Sequence, residues 1–549
     1  MSSLMDPFLQ DPPRAPNRFR GDPTLRRSLE RVLEPGAFEE ATKALDEAGE
    51  LATTEWPAMA RVAESNPPRL VPFDAWGRRV DRIDVDPAWT ALVAEGQRIG
   101  LTAVPYEDAF GNGARVVHAA LLSLFGPVSA TADCPLAMTD AAVRVLIDTP
   151  GAPGQYAPRL TARIDGWTSG QWMTEKEGGS DVGRTGTVAR AEPDGSWILR
   201  GTKWFTSATT ADMALALARA EGAPAGSRGL SLFLLELRRP DGGWNGITVR
   251  RLKDKMGTKA LPTAELDLDG TVATMIGEPG RGVPTIAPML NVTRMHAAFA
   301  SLGGIGHGLA LARDYASKRE AFGRPLRELP VHRAWMARIA AEYEALSALS
   351  FRAAELAGAV ERGGGDPALT RVVVPLTKMA VSRRAVWATS NLIESFGGAG
   401  YVEDTGLPRL LRDTHVNCIW EGTTSVMALD VLRALGAAGA AGAFLDDVEA
   451  RARSTGHPAL TEPSRAVLAA RDELAALLAE PVEQNARRIA WGMARTYQAA
   501  LLCEAAGWAL GRGERAPAIA ARMMTAEPLV EGPLPADDDL GALAFGDGS

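Results

Sequence analysis

Two short stretches carry the residue types that could do chemistry. In Cys418-Ile419-Trp420-Glu421-Gly422-Thr423-Thr424, one carboxylate stands beside Ile and Trp, just before a glycine. A carboxylate partly removed from water is a stronger base, because its charged form loses hydration. Read locally, Glu421 is either a general base or a surface residue capping the next helix. In Met173-Thr174-Glu175-Lys176-Glu177-Gly178-Gly179-Ser180-Asp181-Val182, two glycines let the backbone take φ > 0 and a ligand come close. Ser180 offers a hydroxyl to a phosphate oxygen, and successive N–H groups in such a turn form an anion-binding concavity. Thr174 could donate to a polar ring edge. The local alternative is a glycine turn in a hairpin.

The elements that must position these residues follow from periodicity. Residues 1–35 are rich in Pro and Arg and are expected to run extended over a surface. Over 37–63, Phe38, Ala41, Leu45, Ala48 and Leu51 recur at three and four, which predicts a helix. Asn66-Pro67-Pro68 and the stretch 74–81 predict a stiff loop and a turn. From 166 to 279 the pattern changes to short β-like runs at 197–201, 230–237, 246–252 and 264–268, bounded by Gly, Pro and Asp. That spacing suggests a small antiparallel barrel or sandwich. Long Ala/Leu-rich segments at 297–321, 332–362, 370–396 and 425–435 predict a helical bundle. A Gly/Ala linker at 437–443 leads to helices at 464–479, 483–510 and 518–525. The last twenty or so residues are expected to be disordered.

Composition sets the outer bounds. The chain has 549 residues, 46% hydrophobic and 23% charged, ordinary for a globular protein of several domains. The net charge of −8 argues against a whole-chain electrostatic grip on nucleic acid. Three cysteines suggest a reducing compartment without a disulfide framework. No apolar run approaches a membrane span, and the first residues lack the pattern of a signal peptide, so the cytoplasm is expected.

The glycine turn closely resembles the flavin-binding turn of the acyl-CoA dehydrogenase family, Thr-Glu-x-x-x-Gly-Ser-Asp. Lys203-Trp204-Phe205-Thr206 resembles that family's second flavin segment. Met-Thr-Glu-Lys-x-Gly-Gly-Ser-Asp-Val is typical of one branch, the AidB-like DNA-alkylation-response proteins. Asn66-Pro67-Pro68 with the Asp74–Arg79 turn, and Cys134-Pro135-Leu136-Ala137-Met138-Thr139, resemble segments peculiar to that branch.

The resemblance implies a mainly α fold with a β middle domain: an N-terminal arm and helical domain (1–165), a β domain (166–282), a helical bundle (283–436) and a C-terminal helical extension (437–549). It implies FAD, with Met173, Thr174, Gly179, Ser180, Trp204, Thr206 and Thr423 in contact with it. It implies that a neighbouring subunit completes each flavin site through Arg319, Phe322, Gly397 and Gly398, so the protein is at least a dimer and a tetramer is expected. Glu394 stands where the wider family has Gln, as in the AidB-like branch. Glu421 becomes the base that takes the α-proton of an acyl-CoA, with Arg294 binding substrate. A minority of the family place the base just before that Arg, where this chain has Thr293. An electron-transfer flavoprotein is a possible partner, and neither a metal nor a membrane is expected.

The second reading is a DNA-binding flavoprotein that protects DNA from alkylating agents. In the branch, the C-terminal extension is associated with duplex DNA. Here residues 446–549 hold ten Arg, no Lys and sixteen Asp or Glu, a net of −6. Phosphate binding needs clustered positive charge. Arg487, Arg488, Arg495, Arg512 and Arg515 are the candidates for a local basic stripe.

Overall fold

The computed structural model describes residues 10–535, with 539–540 and 543–544. About half of the tail expected to be disordered lies outside the described residues. Its first part does not behave as expected: Leu529 and Val530 are buried against the helices of the extension.

The N-terminal arm also departs from expectation. It contains helix α1 (Pro23–Val32), started by Asp22, whose carboxylate accepts from the Leu25 N–H, and by Pro23 at the first helical position. Leu25 and Leu29 are buried in the main core, so residues 23–32 are packed rather than draped, while 10–17 have no regular structure. The single helix predicted over 37–63 is two, α2 (Pro35–Leu51) and α3 (Glu55–Ser65), broken at Thr53–Thr54. The predicted loop at Asn66–Pro68 and turn at 74–81 frame a hairpin of β1 (Arg69–Phe73) and β2 (Arg79–Asp84), with Gly77 at positive φ in its turn. Then follow α4 (Pro87–Arg98), α5 (Ala114–Phe125), α6 (Asp133–Asp148) and the short α7 (Tyr156–Leu160). Every residue of α5 is buried, which is why its sequence is mostly apolar, with Arg115, His118 and Ser123 as buried exceptions.

The middle domain holds β3 (Ser169–Trp172), β4 (Val188–Ala191), β5 (Trp197–Ser207), β6 (Met213–Ala220), β7 (Leu230–Glu236), β8 (Ile247–Leu252) and β9 (Thr263–Ile276). Pairings β6–β4–β5–β9–β7 and β7–β6 close a ring, with β3 added on β6 and β8 on β9. It is a small barrel, as expected, but not purely antiparallel: β3 and β4 each pair with β6 in parallel. Strands β3, β4 and β6 escape a pattern reading because β3 and β4 are four residues long and β6 is Ala-rich. Alanine has little strand preference of its own and is placed here by burial.

The bundle begins with α8 (Gly282–Lys318), followed by the two-residue strands β10 (Glu320–Ala321) and β11 (Arg324–Pro325). Next come α9 (Pro330–Glu361), α10 (Pro367–Glu394), α11 (Leu407–Val416) and α12 (Thr424–Leu435). Helix α10 is capped by Asp366, which accepts from the Ala368 and Leu369 N–H groups. The expected linker at 437–443 runs into α13 (Ala440–Arg453) after Gly439 at positive φ. Helices α14 (Thr461–Ala479), α15 (Ala486–Leu510) and α16 (Ala516–Thr525) complete the chain. Their apolar faces form one cluster with α9, α10 and α12, so the extension shares a core with the bundle. Among the described residues, no single helix is long and apolar enough to cross a membrane.

Candidate functional site

Glu421 lies in the loop between α11 and α12 with φ +57, and Gly422 follows at φ +105. A left-handed conformation costs a non-glycine residue about 1–3 kcal/mol and is held only where the surroundings enforce it. Three contacts enforce it here. The Thr293 hydroxyl of α8 donates to Glu421 Oε2 at 2.6 Å. Lys378 of α10 donates to the Gly422 carbonyl at 2.5 Å. Trp420 donates its ring N–H to Asn417 Oδ1. Thr293, the alternative base position, therefore serves the Glu421 carboxylate as a hydrogen-bond donor.

The charges around this loop are buried and matched. Burial pulls the Lys378 pKa down to about 8, and the nearby Glu421 opposes that shift. Arg294 donates to Asp430 at 2.8 Å, and Arg371 joins the same carboxylate at 2.6 Å. Burial raises the Asp430 pKa, but the two guanidinium groups overcome it and hold the group below its usual range. Arg294 was expected to bind substrate; here it is buried and paired with α12. Cys134, at the start of α6, lies within electrostatic reach of Lys255 and Glu421, and burial pushes its thiol up. The branch-like Cys134–Thr139 stretch thus begins within electrostatic reach of Glu421. Sequence reasoning missed Lys378, Arg371 and Asp430. The signal was the seven-residue spacing of Arg371 and Lys378 on one buried helix, which puts both cations on one face.

The glycine turn sits where β3 meets β5. The Trp204 N–H donates to the Thr174 carbonyl at 3.0 Å, joining the two stretches singled out for flavin. Beneath them Lys203 donates to Glu175 Oε1 at 2.7 Å and to the Leu217 carbonyl at 2.7 Å. Glu175 also accepts from the Gly186 N–H and the Thr187 hydroxyl, so the buried carboxylate is fully satisfied. Burial lowers the Lys203 pKa, opposed by Glu175. A Cβ on Gly178 would stand 2.8 Å from the Asp181 carbonyl, so a larger residue would force the turn open. Lys253 lies 3.9 Å from the Trp204 ring centroid, steadying the indole by cation–π attraction.

These features fit a flavin: a buried Met173, a half-buried Thr174, the anchored Trp204 plane and an exposed Ser180. Thr206 is buried and its hydroxyl is given to the Ala264 carbonyl. Thr423 caps α12 by accepting from the Val426 N–H.

Of the residues expected to complete a neighbour's flavin, Arg319, Gly397 and Gly398 come together at the other end of the bundle. Arg319, Glu394, Gly397 and Gly398 line one open groove of about 1160 Å³, with Trp335 and, from the extension, Met523. Phe322, at φ +53, is 95% exposed on the hairpin between β10 and β11.

A second cavity, of about 410 Å³, lies among α5, α6, α8, α9 and α10. Exposed Pro284 and Ala287 stand at its rim, and Leu122, Val292 and Phe299 line its buried part. Val292 and Met295, both in its wall, flank the Thr293–Arg294 pair.

The basic stripe expected on the extension does not form. Arg488 is buried and donates to the Glu531 carbonyl, and Arg495 pairs with Glu342. Helix α15 has 25 residues, so Arg487 and Arg512 lie near opposite ends of about 37 Å of helix. Arg487, Arg512 and Arg515 are exposed, and Arg512 stacks over Trp508. Arginine was counted correctly from the sequence, but its partners are tertiary.

Comparison with known proteins agrees with this layout. Residues 10–164 match the adaptive response protein AidB N-terminal domain. Residues 170–271 match the acyl-CoA dehydrogenase middle domain and residues 280–436 its C-terminal domain. Acyl-CoA dehydrogenase family member 11 of Caenorhabditis elegans is 40% identical over 554 residues, covering 95% of this chain and 90% of that protein. The chain belongs to the acyl-CoA dehydrogenase family, in its AidB-like branch. The putative acyl-CoA dehydrogenase AidB of Escherichia coli is 36% identical over 399 residues, covering 70% of this chain and 72% of AidB. The crystal structure of C. elegans ACDH-11 in complex with C11-CoA superposes with a TM-score of 0.95 at 37% identity, covering 100% of this chain and 98% of that one. FAD is the cofactor of this family, and the β3–β5 junction is where this chain's residues would hold it.

Proposed function

We propose that the protein oxidises the α,β carbon–carbon bond of an acyl thioester, with Glu421 as the base. The observation that carries this reading is the Glu421 carboxylate, fixed in a left-handed turn and hydrogen-bonded by Thr293. FAD, when bound, supplies the acceptor for the two electrons and the β-hydrogen. The protein's own work is to place the carboxylate, hold it through Thr293, anchor its loop through Lys378 and keep water from the α-carbon. ACDH-11, with C11-CoA bound in its crystal structure, supports an acyl-CoA as the substrate.

The test is direct. Purified protein should be yellow, release FAD on denaturation, and lose its flavin absorbance when a saturated acyl-CoA is added without oxygen. A protein that cannot be loaded with FAD, or a flavin that no acyl-CoA bleaches, would overturn the reading. An electron-transfer flavoprotein is the proposed acceptor of those electrons. The groove holding Arg319, Gly397 and Gly398 supports a second copy as the partner that completes each flavin site, in a dimer or a dimer of dimers.

Duplex DNA as a further partner is supported by the AidB-like N-terminal region and by exposed Arg487, Arg512 and Arg515. Three phosphate contacts would give a log–log salt slope of about −2.7, at about −0.9 for each. A slope near that value, abolished in Arg487→Ala/Arg512→Ala/Arg515→Ala protein, is expected if they bind phosphate. Lack of any binding at low salt, where attraction is least screened, would remove DNA from the function.

A further inference from the structure

Helix α16 carries more apolar surface than the core of the extension uses. Pro517, Ala518, Ala520, Ala521 and Met524 are buried, most of them in the cluster the extension shares with the bundle. Ile519 and Met523 are not. They stand four residues apart, hence on one helical face, and are 40% and 36% exposed. That face lies beside α9, along which α16 packs. The Arg338 guanidinium of α9 meets Glu527, just beyond α16, at 2.6 Å. About one turn earlier on each side, Trp335 and Met523 line the same groove. Trp335 is 40% exposed and rests edge to face on Trp387, with ring centroids 6.1 Å apart. Val331, one turn before it and in the same groove, is 85% exposed.

Val331, Trp335, Ile519 and Met523 thus form an apolar strip running into the groove that holds Arg319, Gly397 and Gly398. Exposed apolar side chains collected in one place mark a binding surface. Duplex DNA is a poor occupant, because the strip is apolar and Arg338 is already paired with Glu527. A second copy of this chain suits it, since this groove is where the reading above seats the partner's flavin. In a two-fold pair, each groove would meet the flavin of the other copy. The β3–β5 junction accounts for the flavin ring through Met173, Thr174 and Trp204, and Ser180 for a phosphate. The adenosine end is left for the groove. Adenine has two flat apolar faces, and an indole and a thioether pack well on such a ring.

We propose that the C-terminal extension builds part of the cofactor site: α16 packs on a second copy of the chain, and Met523, with Trp335, covers the adenosine end of the FAD held by that copy's β3–β5 junction. This rests on the reading of the groove as the place where two copies complete each flavin. It gives the extension a task other than DNA binding. It slows the loss of FAD and adds to the contact between subunits.

The experiment uses full-length, FAD-loaded protein. FAD release is read from the rise in flavin fluorescence on dilution, and mass from sedimentation velocity over a range of concentrations. Met523→Asp should raise the FAD dissociation constant by about 10-fold or more, the usual cost of spoiling a well-buried interface contact. Met523→Leu should stay near wild type. Ile519→Asp should shift the assembly toward smaller species at concentrations where wild type is assembled. A wild-type measurement covers the case in which the Asp variants do not fold. Hydrogen peroxide should convert the Met523 thioether to its sulfoxide more slowly in FAD-loaded than in FAD-free protein, followed by mass spectrometry. Unchanged FAD affinity and mass in both Asp variants, or Met523 oxidised equally fast with and without FAD, would overturn the inference. If Arg319→Ala still weakens FAD binding in that event, the shared flavin site stands without the extension. Wild-type protein that holds FAD as a monomer would overturn both.

Discussion

Glu421→Gln should slow acyl-CoA reduction of the flavin by about 10²–10⁴-fold, the usual contribution of a positioned general base. Gln keeps the size and can still accept from the Thr293 hydroxyl, so the loop should keep its left-handed turn and the protein its FAD content. Stopped-flow bleaching and the flavin-to-protein ratio check the two halves separately. A rate within a few-fold of wild type would move the base elsewhere. The 2.6 Å contact between Thr293 Oγ1 and Glu421 Oε2 adds a sharper form of the test. A carboxylate grown from position 293 would reach the same region from the α8 side. Glu421→Gln combined with Thr293→Glu should therefore recover part of the lost rate, whereas Thr293→Glu alone would crowd two carboxylates and should not speed the reaction.

Lys203→Met should destabilise the β domain by about 3–5 kcal/mol, because it leaves the Glu175 carboxylate buried without its counter-charge. Proteins of this kind hold only about 5–15 kcal/mol in total, so the loss is a large fraction of the whole. Glu175 follows directly on Thr174, and Lys203 precedes Trp204. The same pair thus fixes the two residues expected against the flavin ring. The expected result is a lower melting temperature and protein that emerges largely without FAD. Lys203→Met combined with Glu175→Gln removes both charges and keeps acceptors for the Gly186 N–H and the Thr187 hydroxyl, so it should regain much of the melting temperature. Wild-type stability and full flavin content in Lys203→Met would show that the pair is not the anchor.

Why the extension resisted a sequence reading is clear from its arginines. Arg488 and Arg495 were legible as positive charge, and charge is what a DNA phosphate needs. Helical periodicity gives the face a residue occupies, but not what lies against that face. Arg495 meets Glu342 of α9, 153 residues earlier in the chain. In the β domain, β6 has an alanine-rich sequence that no propensity marks as a strand, and its place is fixed by pairing with β3, β4 and β7. The arm that holds α1 looked extended because Pro and Arg dominate it, while the apolar pair Leu25 and Leu29 carried the burial.

The sequence by itself determined the residue kinds that chemistry requires and the local shapes that present them. Glu421 before a glycine, two adjacent glycines ahead of Ser180, and the change from a period near two to one near 3.6 are all properties of neighbouring residues. Tertiary structure alone decided which distant groups meet. Thr293 reaches Glu421 across 128 positions, and His296 reaches Asp140 across 156. Lys378 is driven to a pKa of about 8 by burial, opposed by Glu421 from the loop before α12. The physical reason is one of range. Backbone preference and side-chain spacing act within a few residues, whereas burial and ion pairing depend on which faces are brought into contact when the whole chain closes.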